Sequence, residues 1–239
     1  MNKTNAALSG VISGDIVSLS TDQLAANFAT KAVANNRSVT TSGSAISGTD
    51  AGNYSLTQPT VTASITAKPL TVTGITADNR VYDSTTSATA LLVKGAAALS
   101  GVVGGDTVTL DHSSATATFA TKIIGSNKTV TIAGITIGGI DAGNYALSQP
   151  STTASITARN LAVTGITAND RIYNGNSSAT ALLVKSSAAL SGIQGSDNVT
   201  LDHSSATAAF TNKNIGPSKT VTIEGITIGG SDASNYTLT

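Results

Sequence analysis

The phrase Asp-Ala-Gly-Asn-Tyr stands at residues 50–54 and again at 141–145, and Asp-Ala-Ser-Asn-Tyr stands at 232–236. Tyr54, Tyr145 and Tyr236 are therefore spaced by 91 residues, as are Tyr82 and Tyr173, or Phe28, Phe119 and Phe210. All eight aromatic residues fall into such sets, and no insertion or deletion breaks the register. A tandem array of fixed period limits the fold more than any other property of the chain. A 91-residue unit is too long for a solenoid rung. It is the size of a small β-domain that can enclose its own core. The predicted limits are 1–68 for a partial repeat without its N-terminal strands, 69–159 for a complete repeat, and 160–239 for one without its final strand. Met1 opens in mid-repeat and MNKTNAALSG does not read as a signal peptide, so the expectation is an excised piece of a longer chain. The end repeats are then expected to expose unpaired strand edges or grooves left by missing strands.

Within the complete repeat the apolar period is two. Leu70 and Val72 alternate with Thr71 and Thr73, the pattern of a half-buried strand. The phase slips at Gly74, after which Ile75 is apolar, and again at Gly134, between Val130/Ile132 and Ile135/Ile137. Gly165 and Gly225 mark the same slips in the last repeat. A glycine at a phase slip predicts a β-bulge or a sharp strand bend. Further strands are read at 106–110, 115–119, 144–149 and 152–158. No segment of eleven or more residues has helical periodicity; AAALSG at 96–101 could supply one helical turn. The expected fold is all-β, a row of small Ig-like β-sandwich domains arranged as a rod. A β-grasp unit, with one short helix across a sheet, is the alternative. The junctions SITAKPLTVTG and SITARNLAVTG lack a flexible linker, which predicts stiff connections in which each repeat's partner is its neighbour.

Composition narrows the function. Thirteen basic residues balance thirteen acidic ones, so no basic surface is available for nucleic acid or for a membrane. No apolar run is long enough to insert in a bilayer. Charged residues are only 11% of the chain, against about a quarter in ordinary globular proteins, and Thr, Ser, Ala and Gly take their place. Cysteine is absent, which removes disulfides and thiolate metal sites. This balance fits an exported bacterial protein better than a cytoplasmic enzyme or an animal extracellular module.

Several constellations are candidates for chemistry. Asp111-His112-Ser113 and Asp202-His203-Ser204 contain the residue types of a hydrolase. Neighbours in a strand point to opposite faces, however, so the Asp cannot orient the His, and a polar strand end is the stronger reading. Asp106, Asp111 and Asp141, with Asn144, could offer hard oxygen ligands to calcium. No calcium-loop motif supports this. The stronger reading makes Asp141 and Asn144 caps of a turn that Tyr145 anchors in the core, with Asp50, Asn53 and Tyr54, and Asp232, Asn235 and Tyr236, as their copies. Lys31, Lys122 and Lys213 recur at the repeat period and could serve a Lys–Asn crosslink, but the only Glu, Glu224, has no counterpart. No other cofactor is expected.

Tyr82-Asp83-Ser84 and Tyr173-Asn174-Gly175, each after a Gly-Ile-Thr strand and ahead of a closing Asp-Ala-Gly/Ser-Asn-Tyr, resemble the YDG-type repeats of large bacterial surface proteins. That group includes filamentous-haemagglutinin-like adhesins exported by two-partner secretion. Neither copy carries the full Tyr-Asp-Gly, but Asp, Asn and Gly all suit a tight turn. The resemblance implies a non-enzymatic stalk segment of a secreted or cell-surface adhesin that projects a distal binding region. The alternative has the repeats themselves bind host glycan or matrix protein, or associate end to end into fibres by strand exchange.

Overall fold

The computed structural model describes residues 5–239. It is all-β: the described residues form short strands and single 3₁₀ turns, with no α-helix. Among the described residues no helix crosses a sheet, so the β-grasp alternative is not the arrangement. The chain divides into two compact units whose limits fall inside the repeats. One unit comprises Met1–Thr71, Leu99–Asp111 and Thr136–Ser148; the other comprises Val72–Ala98, His112–Ile135 and Gln149–Thr239.

In the first unit, Ala25–Phe28, Ala34–Ser42 and Thr60–Ile65 form an antiparallel three-stranded sheet. Ser18–Ser20 pairs with Ala45–Ser47, and Thr109–Asp111 pairs with Thr136–Gly138. Lys68–Thr71 runs parallel to Tyr145–Ser148, with Leu70 opposite Leu147. Leu70 and Tyr145 are buried there, and so is the carboxylate-bearing Asp141.

The second unit contains a four-stranded sheet in the order Thr116–Phe119, Gly125–Ala133, Ser151–Thr157, Arg80–Val81. Its core sets branched residues against partners of different size, small Ala117 opposite Ile132 and large Phe119 opposite Val130. With no Trp in the chain, close alternation of small and large side chains fills the interior. The last repeat places Arg159–Thr164 between antiparallel Ala189–Ser191 and parallel Tyr236–Leu238. Thr200–Asp202 pairs with Thr227–Gly229, and Thr207–Phe210 with Val221–Glu224. The parallel pairings add to what a period-two pattern can say.

The four phase-slip glycines are bends. Gly74, Gly134, Gly165 and Gly225 have φ between +74° and +78° and separate successive strands. A Cβ at Gly74 would lie 1.9 Å from the Ala96 carbonyl oxygen, and one at Gly134 would lie 2.6 Å from that of Ser114. Beyond the Gly134 bend, the Gln149 side-chain amide donates to the Ile135 carbonyl (2.8 Å) and accepts its N–H (3.1 Å). It pairs that residue as a neighbouring strand would, and Gln58 serves Ser44 in the same way. The register shifts lie elsewhere, at Ala34/Arg37 and Gly125/Lys128, where Asn36 and Asn127 take φ of 50° and 49°. Asn is the non-glycine residue that best tolerates this region. Residues 96–101 form a turn and the strand Ala98–Ser100, and no helical turn. The helical turns are Ala51–Asn53, Ala142–Asn144 and Ala233–Asn235, inside the repeated phrase, together with Thr89–Leu91 and Thr180–Leu182.

Candidate functional site: a clasp across each repeat boundary

Each repeated phrase builds the same corner. The 3₁₀ turn delivers Tyr145 into a strand, and its hydroxyl donates to Asp106 (2.7 Å) while accepting the Val103 N–H (2.9 Å). Asp141 accepts the Thr107 N–H (2.9 Å). The corner recurs with Tyr236, Asp197, Gln194, Asp232 and Asn198, at 2.7, 2.9 and 3.0 Å. It recurs again with Tyr54, Asp15, Ile12, Asp50 and Ile16, at 2.5, 3.0 and 2.9 Å. Asp141 does not cap its own turn, which corrects the expectation. At φ −100° and ψ 0° its backbone is already helical, whereas a capping residue is extended.

What the corner holds is the preceding repeat. Lys31 places its ammonium 2.6 Å from Asp106 and 2.9 Å from Asp141, and the Val33 N–H donates to Asn144 Oδ1 (2.9 Å). All of these residues lie in the first compact unit. The second unit repeats the arrangement one period on. Lys122 lies 2.8 Å from Asp197 and 3.7 Å from Asp232, and the Ile124 N–H donates to Asn235 Oδ1 (3.1 Å). Here Tyr82 joins in: its hydroxyl donates to Asp197 (2.7 Å) and its ring meets that of Tyr236 edge to face, at 5.3 Å between centroids. The Lys122 ammonium lies 6.0 Å above the Tyr82 ring.

The electrostatics follow from these contacts. Hydrogen bonds from Lys31 and then Tyr145 hold Asp106 below the ordinary carboxylate range, and Lys31 with the Thr107 N–H does so for Asp141. Burial works against ionised Asp197, but the bonds from Lys122, Tyr82 and Tyr236 outweigh it and leave its pKa lowered. The same carboxylates push Lys31 and Lys122 above the usual lysine value. Donating to Asp106 and being buried raise Tyr145. Burial, with the bond to Asp197, pushes Tyr236 up to about 12 against the opposing Gln194 N–H. Burial first, then Asp197, raises Tyr82.

The calcium reading is corrected on the same geometry. Asp106 and Asp141 do converge, but on the ammonium of Lys31, while Asn144 faces a backbone N–H. Asp111 ends the strand Thr109–Asp111, and no cluster of three or more His, Cys, Asp or Glu suited to a metal occurs among the described residues. Asp202 accepts the Ser204 N–H, and the carbonyls of His112 and His203 accept from Lys94 and Lys185. These are turn contacts.

Around the Tyr-Asp-Ser and Tyr-Asn-Gly segments, Asp83 accepts the Thr85 N–H and Asn174 the Asn176 N–H, so both are turn residues. The third position has positive φ, 63° at Ser84 and 81° at Gly175. The two tyrosines differ: Tyr82 is fully buried, whereas Tyr173 is 57% exposed. Around Tyr82, the following repeat brings Tyr236 against the ring and Asp197 to the hydroxyl, and the closing strand of its own repeat takes its N–H at the Thr157 carbonyl (2.9 Å). Sequence reasoning also missed the arginine two residues earlier. Arg80 lies over the Phe119 ring and Arg171 over that of Phe210, each at 5.0 Å. In the sequence, Asp106 and Asn144 group as calcium candidates and Lys31 stands apart as a crosslink candidate. Each clasp lysine lies 75 residues before its Asp and each N–H donor 111 before its Asn, but in an array of fixed period every pair keeps its offset, so the spacing alone does not join them.

Successive all-β repeats, each clasped to the one before it by the same residues, define a tandem-repeat protein. The model of the YDG domain matches residues 1–63, 66–154 and 157–239, and the chain belongs to that family. No curated protein and no solved structure matches the chain.

Proposed function

We propose that this chain is a non-enzymatic structural segment, a stalk of tandem YDG domains in a secreted or cell-surface bacterial adhesin that carries a binding region away from its anchor. One observation carries the reading: the polar residues of the repeated motif are occupied in joining repeat to repeat. A Lys, two Asp, an Asn and a Tyr converge at each boundary, and their hydrogen-bonding groups face one another. Low charge, high Thr content and the absence of cysteine support an exported setting. The reading assigns no substrate or cofactor.

The test is binding. Chains with intact repeat limits are presented to glycans, matrix proteins and host cells beside an unrelated β-domain. The stalk reading expects no specific, saturable binding. Saturable binding that survives competition by the control domain would move the adhesive role to the repeats and overturn it.

A further inference from the structure

The clasp of the second unit holds an amine against a carboxyl group, away from water, with proton-bearing groups set around them. Lys122 Nζ lies 2.8 Å from Oδ1 of Asp197. The other oxygen, Oδ2, accepts both the Tyr82 and the Tyr236 hydroxyl, each at 2.7 Å. The Asp197 side chain is only 3% exposed, and the two tyrosine rings that bond it pack edge to face. A second carboxylate stands beside the same ammonium. Asp232 is fixed through Oδ2 by the Asn198 N–H (3.0 Å) and turns Oδ1 to Lys122 at 3.7 Å. As a fastening alone, such a buried ion pair is inefficient, because taking two charges out of water offsets much of their attraction.

We infer that Lys122 and Asp197 condense to an amide, a covalent bond between successive repeats, with Asp232 carrying the proton. The ion pair is the form present on folding. Burial opposes the charge on Asp197, although its hydrogen bonds keep the ion pair as the resting state. Transfer of one proton along the Nζ–Oδ1 contact gives a free amine and a carboxylic acid. The amine lone pair attacks Cγ, and the carbonyl electron pair moves onto Oδ2, where the two tyrosine hydroxyls form an oxyanion hole. Asp232 takes a proton from the nitrogen and returns it to the Oδ1 hydroxyl. The C–Oδ1 bond breaks, Oδ2 becomes the amide carbonyl, and water leaves. One C–N bond replaces one C–O bond, and nothing is oxidised or reduced. Groups held in contact by a fold react with effective molarities of up to about 10⁵–10⁸ M, and the product replaces a buried charge pair with a neutral amide. The acceptor is an Asp, not the Asn of a Lys–Asn crosslink, and the acid that serves it is Asp232, not a Glu. Lys31 meets Asp106 and Asp141 in a similar way, but its side chain is 67% exposed, so water reaches that pair and it stays ionic. The inference uses the clasp geometry alone and is independent of the stalk reading.

The experiment is intact-mass spectrometry of the full chain, denatured after incubation in the folded state at neutral pH, followed by tryptic digestion. The mass is expected to fall short of the sequence mass by one water. Trypsin is expected to leave the bond after Lys122 uncut and to release a branched peptide that joins Lys122 to Asp197. Lys122→Arg keeps the cation beside both carboxylates and is expected to restore the full sequence mass. Asp232→Asn can still accept the Asn198 N–H, so its turn is kept, and it is expected to slow crosslinking by about a hundredfold or more. A folded wild-type chain that retains its full mass overturns the inference. So does a loss of water that persists in Lys122→Arg, or crosslinking that Asp232→Asn leaves at the wild-type rate.

Discussion

Tyr82 and Tyr173 stand at the same position of successive repeats, yet their substitution should have opposite consequences. Tyr82 has no exposed surface, and Tyr82→Ala removes a sealed ring together with its edge-to-face contact with Tyr236. Truncation of a buried aromatic side chain costs about 3–5 kcal/mol. Tyr82→Phe keeps the ring and deletes only the hydroxyl that donates to Asp197, whose side chain is 3% exposed. A hydrogen bond to a charged group contributes about 1.5–3 kcal/mol. Lys122 and Tyr236 still bond that carboxylate, so the loss should fall near the lower end of the range. At Tyr173, with 57% of its surface in solvent, both substitutions should stay within about 0.5 kcal/mol. Opening free energies from hydrogen exchange across residues 72–98 and 236–238 are the appropriate measure, because an array of repeats does not unfold as one two-state body. Equal losses at the two tyrosines would show that each repeat uses its tyrosine internally, and the clasp would then be incidental. A loss below about 1 kcal/mol for Tyr82→Ala would remove the ring from the core altogether.

Further outcomes follow from the same contacts. Asp106, Asp141 and Asp197 have folded pKa values below 3.8, so the stability they contribute is present above that pH and is lost as pH falls through the folded values. Lys31 and Lys122 are raised above 10.5, so their contribution is complete below that pH and is lost only above it. Opening free energies at both boundaries, taken from exchange after correction for its intrinsic pH dependence, should therefore be flat from about pH 5 to 9 and fall outside that window. Lys31, 67% exposed, should loosen more in 0.5 M salt than Lys122, 37% exposed, when boundary exchange is compared with and without salt. Gly74→Ala should cost more than about 2 kcal/mol in denaturant melts, because positive φ and the Ala96 carbonyl both oppose a side chain there. Gly143→Ala, with nothing within 4 Å of the new Cβ, should be close to neutral by the same assay, and the last repeat already carries Ser234 at that position. Ser84→Gly should stabilise by about 0.5–1 kcal/mol in thermal melts, since it relieves a left-handed serine at φ 63°.

Strand phase was legible because it is local. Leu70, Val72, Ala117, Phe119, Val130 and Ile132 alternate in the sequence and are buried in the fold, and a glycine stands wherever the phase slips. Only the form of the slip, a bend between strands, needed coordinates. The parallel pairing of Lys68–Thr71 with Tyr145–Ser148 was hidden because its partners lie in different parts of the repeat and carry no turn signal between them. The clasp was hidden for a related reason. In a perfect array every lysine recurs with the period, so recurrence alone does not separate Lys31 and Lys122 from any solvated lysine. The role of Asn144 was misread within its own turn because its acceptor oxygen serves Val33, 111 residues away. The burial of Tyr82 is shared with the next repeat, whose Tyr236 and Asp197 no reading of a single repeat could supply.

The parallel pairings have a mechanical meaning. Lys68 begins the first strand of the family match over 66–154, and that strand lies alongside Tyr145–Ser148, shortly before the chain leaves through Ser151–Thr157. A pull on the two ends draws one of these strands backwards and the other forwards. The bonds from Tyr145↔Lys68 to Ser148↔Thr71 are then loaded together in shear, and those from Arg159↔Tyr236 to Leu161↔Leu238 share the same geometry. Bonds loaded in this way yield as a group, whereas a hairpin pulled from its open end unzips one rung at a time. Extension of a single molecule should show abrupt, whole-repeat force peaks, and a smooth low-force unravelling would contradict the shear geometry. Tension delivered at one end of such a chain would pass along it with its folded repeats intact.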